Sequence, residues 1–86
     1  MYKITVKAMG NPDHGQDPDK PLWGVEPCTF ITQDLEELKN LVWDWQVDNC
    51  IGAGNWVDMP VYHDNHCIGL MSYNLKIWLQ DGKRAA

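Results

Sequence analysis

Eighty-six residues with a formal net charge of −5 and a pI near 4.8 specify one small acidic domain. A roomy internal pocket is excluded, because a chain this short buries only about 60 to 65% of the surface its unfolded form exposes. General duplex binding is excluded as well: it needs lysines and arginines to displace counterions, whereas an acidic surface suits a basic partner.

Tyr2, Ile4, Val6 and Ala8 alternate with Lys3, Thr5 and Lys7, the period of a half-buried strand. The start lacks the apolar run of a signal peptide. No segment reaches the ~18 consecutive apolar residues of a membrane span. The three cysteines, Cys28, Cys50 and Cys67, are an odd number, unlike a secreted disulfide framework. Reduced thiols fit a cytoplasmic location, with no membrane partner.

Gly10 to Gly24 breaks the strand pattern with three prolines and three aspartates. A patternless loop this long is functional or mobile, and Leu22 and Trp23 are placed to tie down its end. Val25 to Ile31 reads as a second strand, an edge strand or one that begins after Pro27, which has no N–H to donate. Thr32 or Asp34 then caps a helix that runs to about Asn49. Asp34 and Glu37 have capping-box spacing. Leu35, Leu38, Leu41, Val42 and Trp45 fall on one face within an arc of about 120°. Ile51-Gly52-Ala53-Gly54-Asn55 supplies the exit.

Asp64-Asn65 is a two-residue hairpin turn. Counting back from it pairs His63 with His66, Val61 with Ile68, Met59 with Leu70 and Val57 with Ser72. Those apolar residues form a core face. Trp56, Asp58, Tyr62, Cys67, Met71 and Tyr73 fall on the other face. Tyr73-Asn74 marks a second turn or a bulge, Leu75 to Leu79 a last strand, and residues 83–86 a frayed tail. The expected fold is α+β: an antiparallel sheet of four to five strands with one amphipathic helix on one face, in the order β-β-α-β-β-β, as a single domain over residues 1–86. One helix about 10 Å wide leaves the far face of the sheet partly exposed.

No catalytic constellation is visible, and the chain reads as a non-enzyme. Cys67 adjoins His66, but neighbours on a strand point to opposite faces. No nucleophile elbow or phosphate loop is present. His63 and His66 share one face of the hairpin and Cys67 the other, so the only cluster of metal-ligand types is split. It reads as turn histidines and a small buried cysteine, with no metal and no cofactor expected. Asp13, Asp17 and Asp19 lack the glycine and glutamate of a calcium loop.

Two surfaces remain. On the helix, Trp43 and Val47 lie off the core arc, with Glu36, Glu37, Asp44 and Asp48 on the polar side. A tryptophan among carboxylates is a contact anchor for a basic protein surface, unless the long loop folds over it. On the outer sheet face, Trp56, Tyr62, Tyr73 and Trp78 suggest a stacking platform for single-stranded nucleic acid or a homodimer interface. The acidic charge disfavours direct nucleic-acid binding.

In broad outline the chain resembles small phage-encoded anti-defence proteins, anti-CRISPR proteins in particular. It shares their small size, acidic pI, single α+β unit, surface aromatics and lack of a catalytic motif. No functional residue carries over. The resemblance implies a stoichiometric inhibitor that occupies a basic, often nucleic-acid-binding, surface of a host complex such as a CRISPR effector.

Overall fold

The computed structural model describes residues 1–79 and 81–86. Its elements are β1 (Tyr2–Val6), β2 (Cys28–Thr32), α1 (Leu35–Asp48), β3 (Met59–His63), β4 (His66–Met71) and β5 (Ile77–Trp78), with short 3-10 turns at Pro12–His14 and Ala53–Asn55. The expected α+β order is present. All five strands form one antiparallel sheet in the order β2-β1-β3-β4-β5, and α1 packs on one face against β1 and β2.

The alternation in β1 sets the two faces of the sheet. Ile4, Val6 and Ala8 are buried under the helix, whereas Lys3, Thr5 and Lys7 are exposed on the far side. β2 begins at Cys28, just past Pro27, and runs antiparallel to β1 with Phe30 opposite Ile4. Asp34 caps α1 by accepting a hydrogen bond from the N–H of Glu36 at 3.2 Å, which satisfies one of the free donors of the first turn. The apolar stripe of α1 meets the strands as its spacing requires. Leu38 and Val42 are fully buried with Ile4, Val6, Val61, Met71 and Ile77.

The hairpin register departs from the count along the sequence. His63 pairs with His66 and Tyr62 with Cys67, but Val61 then faces Gly69, Pro60 faces Leu70 and Met59 faces Met71. Ile68 is the extra residue of a β-bulge, and a one-residue slip exchanges the faces of everything beyond it. Met71 is therefore buried and Leu70 exposed, the reverse of the expectation. A second slip lies upstream. Ile4 pairs with Val61 and Ala8 bridges to Trp56, so five residues on the β3 side oppose four on the β1 side. Trp56 turns inward and Val57 outward. Gly69 makes the first bulge affordable. Its φ is +147°, and a Cβ there would lie 2.7 Å from the carbonyl oxygen of Trp78, so only glycine lets β5 approach β4.

Residues 83–86, expected to fray, close the β5 edge instead. The Ile77 N–H donates to the Ala86 carbonyl, the Ala85 N–H to the Ile77 carbonyl and the Leu79 N–H to the Lys83 carbonyl, each at 2.7 Å. The physical reason is that a two-residue outer strand leaves backbone groups that need partners, and the tail is the nearest source.

The Gly10–Gly24 loop is likewise tied down. The Gly10 N–H donates to the Lys20 carbonyl at 3.0 Å, and the Leu22 N–H to the Ala8 carbonyl at 2.9 Å. Buried Asn55 donates from Nδ2 to the Met9 carbonyl at 2.9 Å and to Gln16 Oε1 at 3.2 Å. Leu22 packs on the core, as expected. Trp23 does not: it is 95% exposed.

Candidate functional site

The side of α1 turned away from the sheet carries the first candidate surface. Trp43 and Val47, one turn apart, are 54% and 57% exposed, so the Gly10–Gly24 loop does not cover them. At 100° per residue they lie about 120 to 160° from the buried Leu38–Val42 stripe. Glu36 shares their side of the helix. Asp44, Glu37 and Asp48 follow on the next flank, and all four carboxylates are exposed. The structure thus brings all six expected residues onto one continuous arc.

None of these carboxylates is in an ion pair among the described residues. The pairs present are Met1 amine–Asp64, Lys20–Asp17 and His63–Asp64. Glu36 and Glu37 sit in the first turn, where the helix dipole favours them; the last turn has no basic residue and ends on Asp48. A carboxylate at that end faces the negative pole, an adverse term of roughly 0.3–1 kcal/mol. The surface is acidic, flanked by Lys39 as the one cation of the helix, and centred on exposed apolar groups.

The outer sheet face does not form the expected aromatic platform. Trp56 is only 9% exposed and sits edge-on between Trp45 and Tyr73, with centroids 6.5 and 6.4 Å away. Its Nε1–H donates to the Met71 carbonyl at 3.0 Å. The Tyr73 hydroxyl donates to the Ile51 carbonyl at 2.9 Å. Trp56 and Tyr73 are thus held inside by the two register slips and by partners for their polar tips. Tyr62 and Trp78 do face outward, but apart. Tyr62 stands on β3 opposite Lys3 and Cys67, and Trp78 on β5 opposite Leu70.

Next to Tyr62 is an open groove of about 490 Å³ lined by Met1, Lys3, Ile31, Tyr62, Asp64 and Asn65. The Met1 amine donates to Asp64 Oδ1 at 2.6 Å. That hydrogen bond, with the charge of the amine, holds the Asp64 carboxyl below its ordinary range. His63 stacks on Tyr2, with centroids 4.2 Å apart and planes 7° from parallel. Cys67 is exposed rather than buried, because it stands opposite Tyr62 on the outer face of the sheet; Cys50 is also exposed and Cys28 half-buried. Among the described residues no three His, Cys, Asp or Glu side chains converge as metal ligands would.

Trp23, expected to tie down the loop end, and Ile31 are exposed apolar residues outside both expected binding surfaces. Trp23 precedes Gly24, whose φ of +83° turns the chain; the Trp-Gly pair was the available signal. Ile31 is 55% exposed and stands opposite Lys3 in the register of β1 with β2. Compared with known proteins, the chain matches no family model, no curated protein and no solved structure.

Proposed function

We propose that this chain is a small acidic protein-binding module, a stoichiometric inhibitor that acts by occupying a basic surface of a host nucleic-acid-handling complex, in the manner of anti-CRISPR proteins. The observation that carries the reading is the exposed Trp43–Val47 pair on α1, bordered by four carboxylates that form no ion pair among the described residues. An exposed tryptophan supplies the anchor area of a binding hot spot. Unpaired carboxylates steer a cationic partner and lose little of their own stabilisation when they engage it. The other reading, single-stranded nucleic-acid binding or homodimerisation through the outer sheet face, has lost Trp56 and Tyr73 to the core and keeps only the separated Tyr62 and Trp78.

The test is affinity capture with the intact chain and with Trp43→Ala as baits, in parallel with an oligonucleotide gel shift. The proposal expects a basic protein complex that is retained by the native chain and depleted on Trp43→Ala. It also expects no gel shift by the chain alone and, in the captured complex, weakened nucleic-acid binding. A salt-sensitive gel shift by the chain alone, with no protein captured, moves the function to the nucleic-acid reading.

A further inference from the structure

The sheet has two edges, and the chain closes one of them. At β5 the tail supplies backbone partners. At the other end β2 pairs with β1 alone. The Asp64 N–H donates to the Met1 carbonyl, so the odd residues of β1 bond toward β3. In an antiparallel ladder the bonding side alternates, so Tyr2, Ile4 and Val6 bond toward β2. Their partners are Thr32, Phe30 and Cys28. Thr29 and Ile31 therefore direct their N–H and C=O groups away from the sheet. Both residues are exposed, and no other described residue hydrogen-bonds to those four groups. The strand Cys-Thr-Phe-Ile-Thr carries no charge, and its Thr, Phe and Ile favour extended backbone. Apart from Pro27, which immediately precedes it, it has none of the lysines or bulges that usually blunt an edge.

We propose that the free edge of β2 docks an extended basic segment of a partner protein, which adds as a sixth strand. Charge complementarity selects this occupant. Residues 21–38 contain Glu26, Asp34, Glu36 and Glu37 and no lysine or arginine, so carboxylates bracket the edge at both ends, while the neighbouring Lys3 stands opposite Ile31 on the outer face. The helix adds to them. Gln46 Nε2 donates to the Tyr73 carbonyl at 3.1 Å, and Tyr73 follows β4, on the far side of the sheet from β2. Glu37, Leu41, Asp44 and Asp48 lie about 140 to 180° round the helix from Gln46, which turns them toward the β2 side. An added strand would present alternate side chains to that acidic flank and the remainder to the outer face beside Ile31. The segment recognised thus alternates basic residues with apolar ones.

A second copy of the chain fits the same backbone groups poorly. A two-fold pairing of β2 with itself would place two α1 helices about 10 Å apart, acidic flank against acidic flank. This inference rests on the reading of α1 as an acidic partner surface and extends that surface to the sheet edge.

The test is an amide NMR titration of the full chain with an end-blocked synthetic peptide of alternating lysine and valine. Saturable shifts and slowed hydrogen exchange at Thr29 and Ile31 are expected. The same peptide N-methylated on alternate residues, which keeps its charge but cannot pair, should bind at least about tenfold more weakly, as should a glutamate–valine peptide. Ile31→Pro removes one outward N–H without touching the ladder to β1 and should weaken binding similarly; if it does not fold, the N-methylated peptide carries the test. Equal binding by the N-methylated peptide overturns the edge. So do shifts confined to residues 36–48, which would leave the acidic helix surface standing alone. Absence of any shift overturns both readings. A concentration-dependent dimer of the chain alone, abolished by Ile31→Pro, assigns the edge to a second copy and overturns the proposal.

Discussion

At β5 the last residues of the chain hydrogen-bond to Ile77 and Leu79, and Gly69 lets the strand lie close to β4; at β2 the outward groups of Thr29 and Ile31 meet no other described residue. The two strands are similarly apolar, so hydrophobic content does not explain the difference. Chain connectivity does. The tail emerges next to β5, and closing so short a loop costs little entropy. β2 is entered from a loop held against Ala8–Gly10 and left through a helix that turns onto the inner face. No local segment is free to cover it. A closed edge depends on the segment that closes it. An open edge is stable only because the rest of the sheet holds it.

Five measurements test whether the two edges differ in this way. The largest effect is expected from Leu38→Ala, which empties a fully buried position in the core between α1 and the sheet and should cost about 2 to 5 kcal/mol. Chemical denaturation should show one transition shifted as a whole. If two transitions appear, the edges belong to separate cooperative units. Gly69→Val adds a side chain into Trp78 and Ile77 at a φ that L-residues rarely adopt. A loss of about 3 kcal/mol is expected, with amide protection collapsing at Ile77 before Phe30.

Deleting Lys83–Ala86 removes the partners of β5 and should cost about 2 kcal/mol from its lost hydrogen bonds. Exchange at Ile77 and Leu79 should accelerate, whereas Thr29 and Ile31 should exchange fast with or without the tail. Ile31→Pro should leave the thermal midpoint nearly unchanged, within about 1 kcal/mol of native stability. A large loss there would mean that the outward N–H already has a partner.

The smallest effect concerns the N-terminal end of the sheet. The Asp64 carboxyl has a lowered pKa because the Met1 amine hydrogen-bonds to it and stands beside it as a positive charge. A lowered folded-state pKa gives stabilisation that is fully present above the ordinary aspartate value, about 4. It is lost as pH falls through the lower, folded value. Asp64→Asn should therefore leave stability little changed once the pH has fallen below that folded value, while slightly lowering it at neutral pH. The native and variant denaturation midpoints should converge on acidification, and a gap that widened instead would contradict the assigned cause.

Local sequence signals set the element order, the helix stripe of Leu38, Val42 and Trp45, the cap at Asp34, the hairpin turn at Asp64-Asn65 and the off-stripe position of Trp43. Each follows from a periodicity or a turn preference that acts over a few residues. Tertiary structure alone decided that Trp56 and Met71 face inward while Val57 and Leu70 face outward. It also decided that the tail closes one edge, and that Thr29 and Ile31 are left open at the other. The reason is that strand alternation carries face information only while the register holds. A bulge costs one residue and reverses every side chain beyond it. Whether one forms depends on long-range packing: the space for Trp56 between Trp45 and Tyr73, and the close approach of β5 to Gly69. Edge closure is likewise settled between segments distant from one another in the sheet, where no local pattern is written.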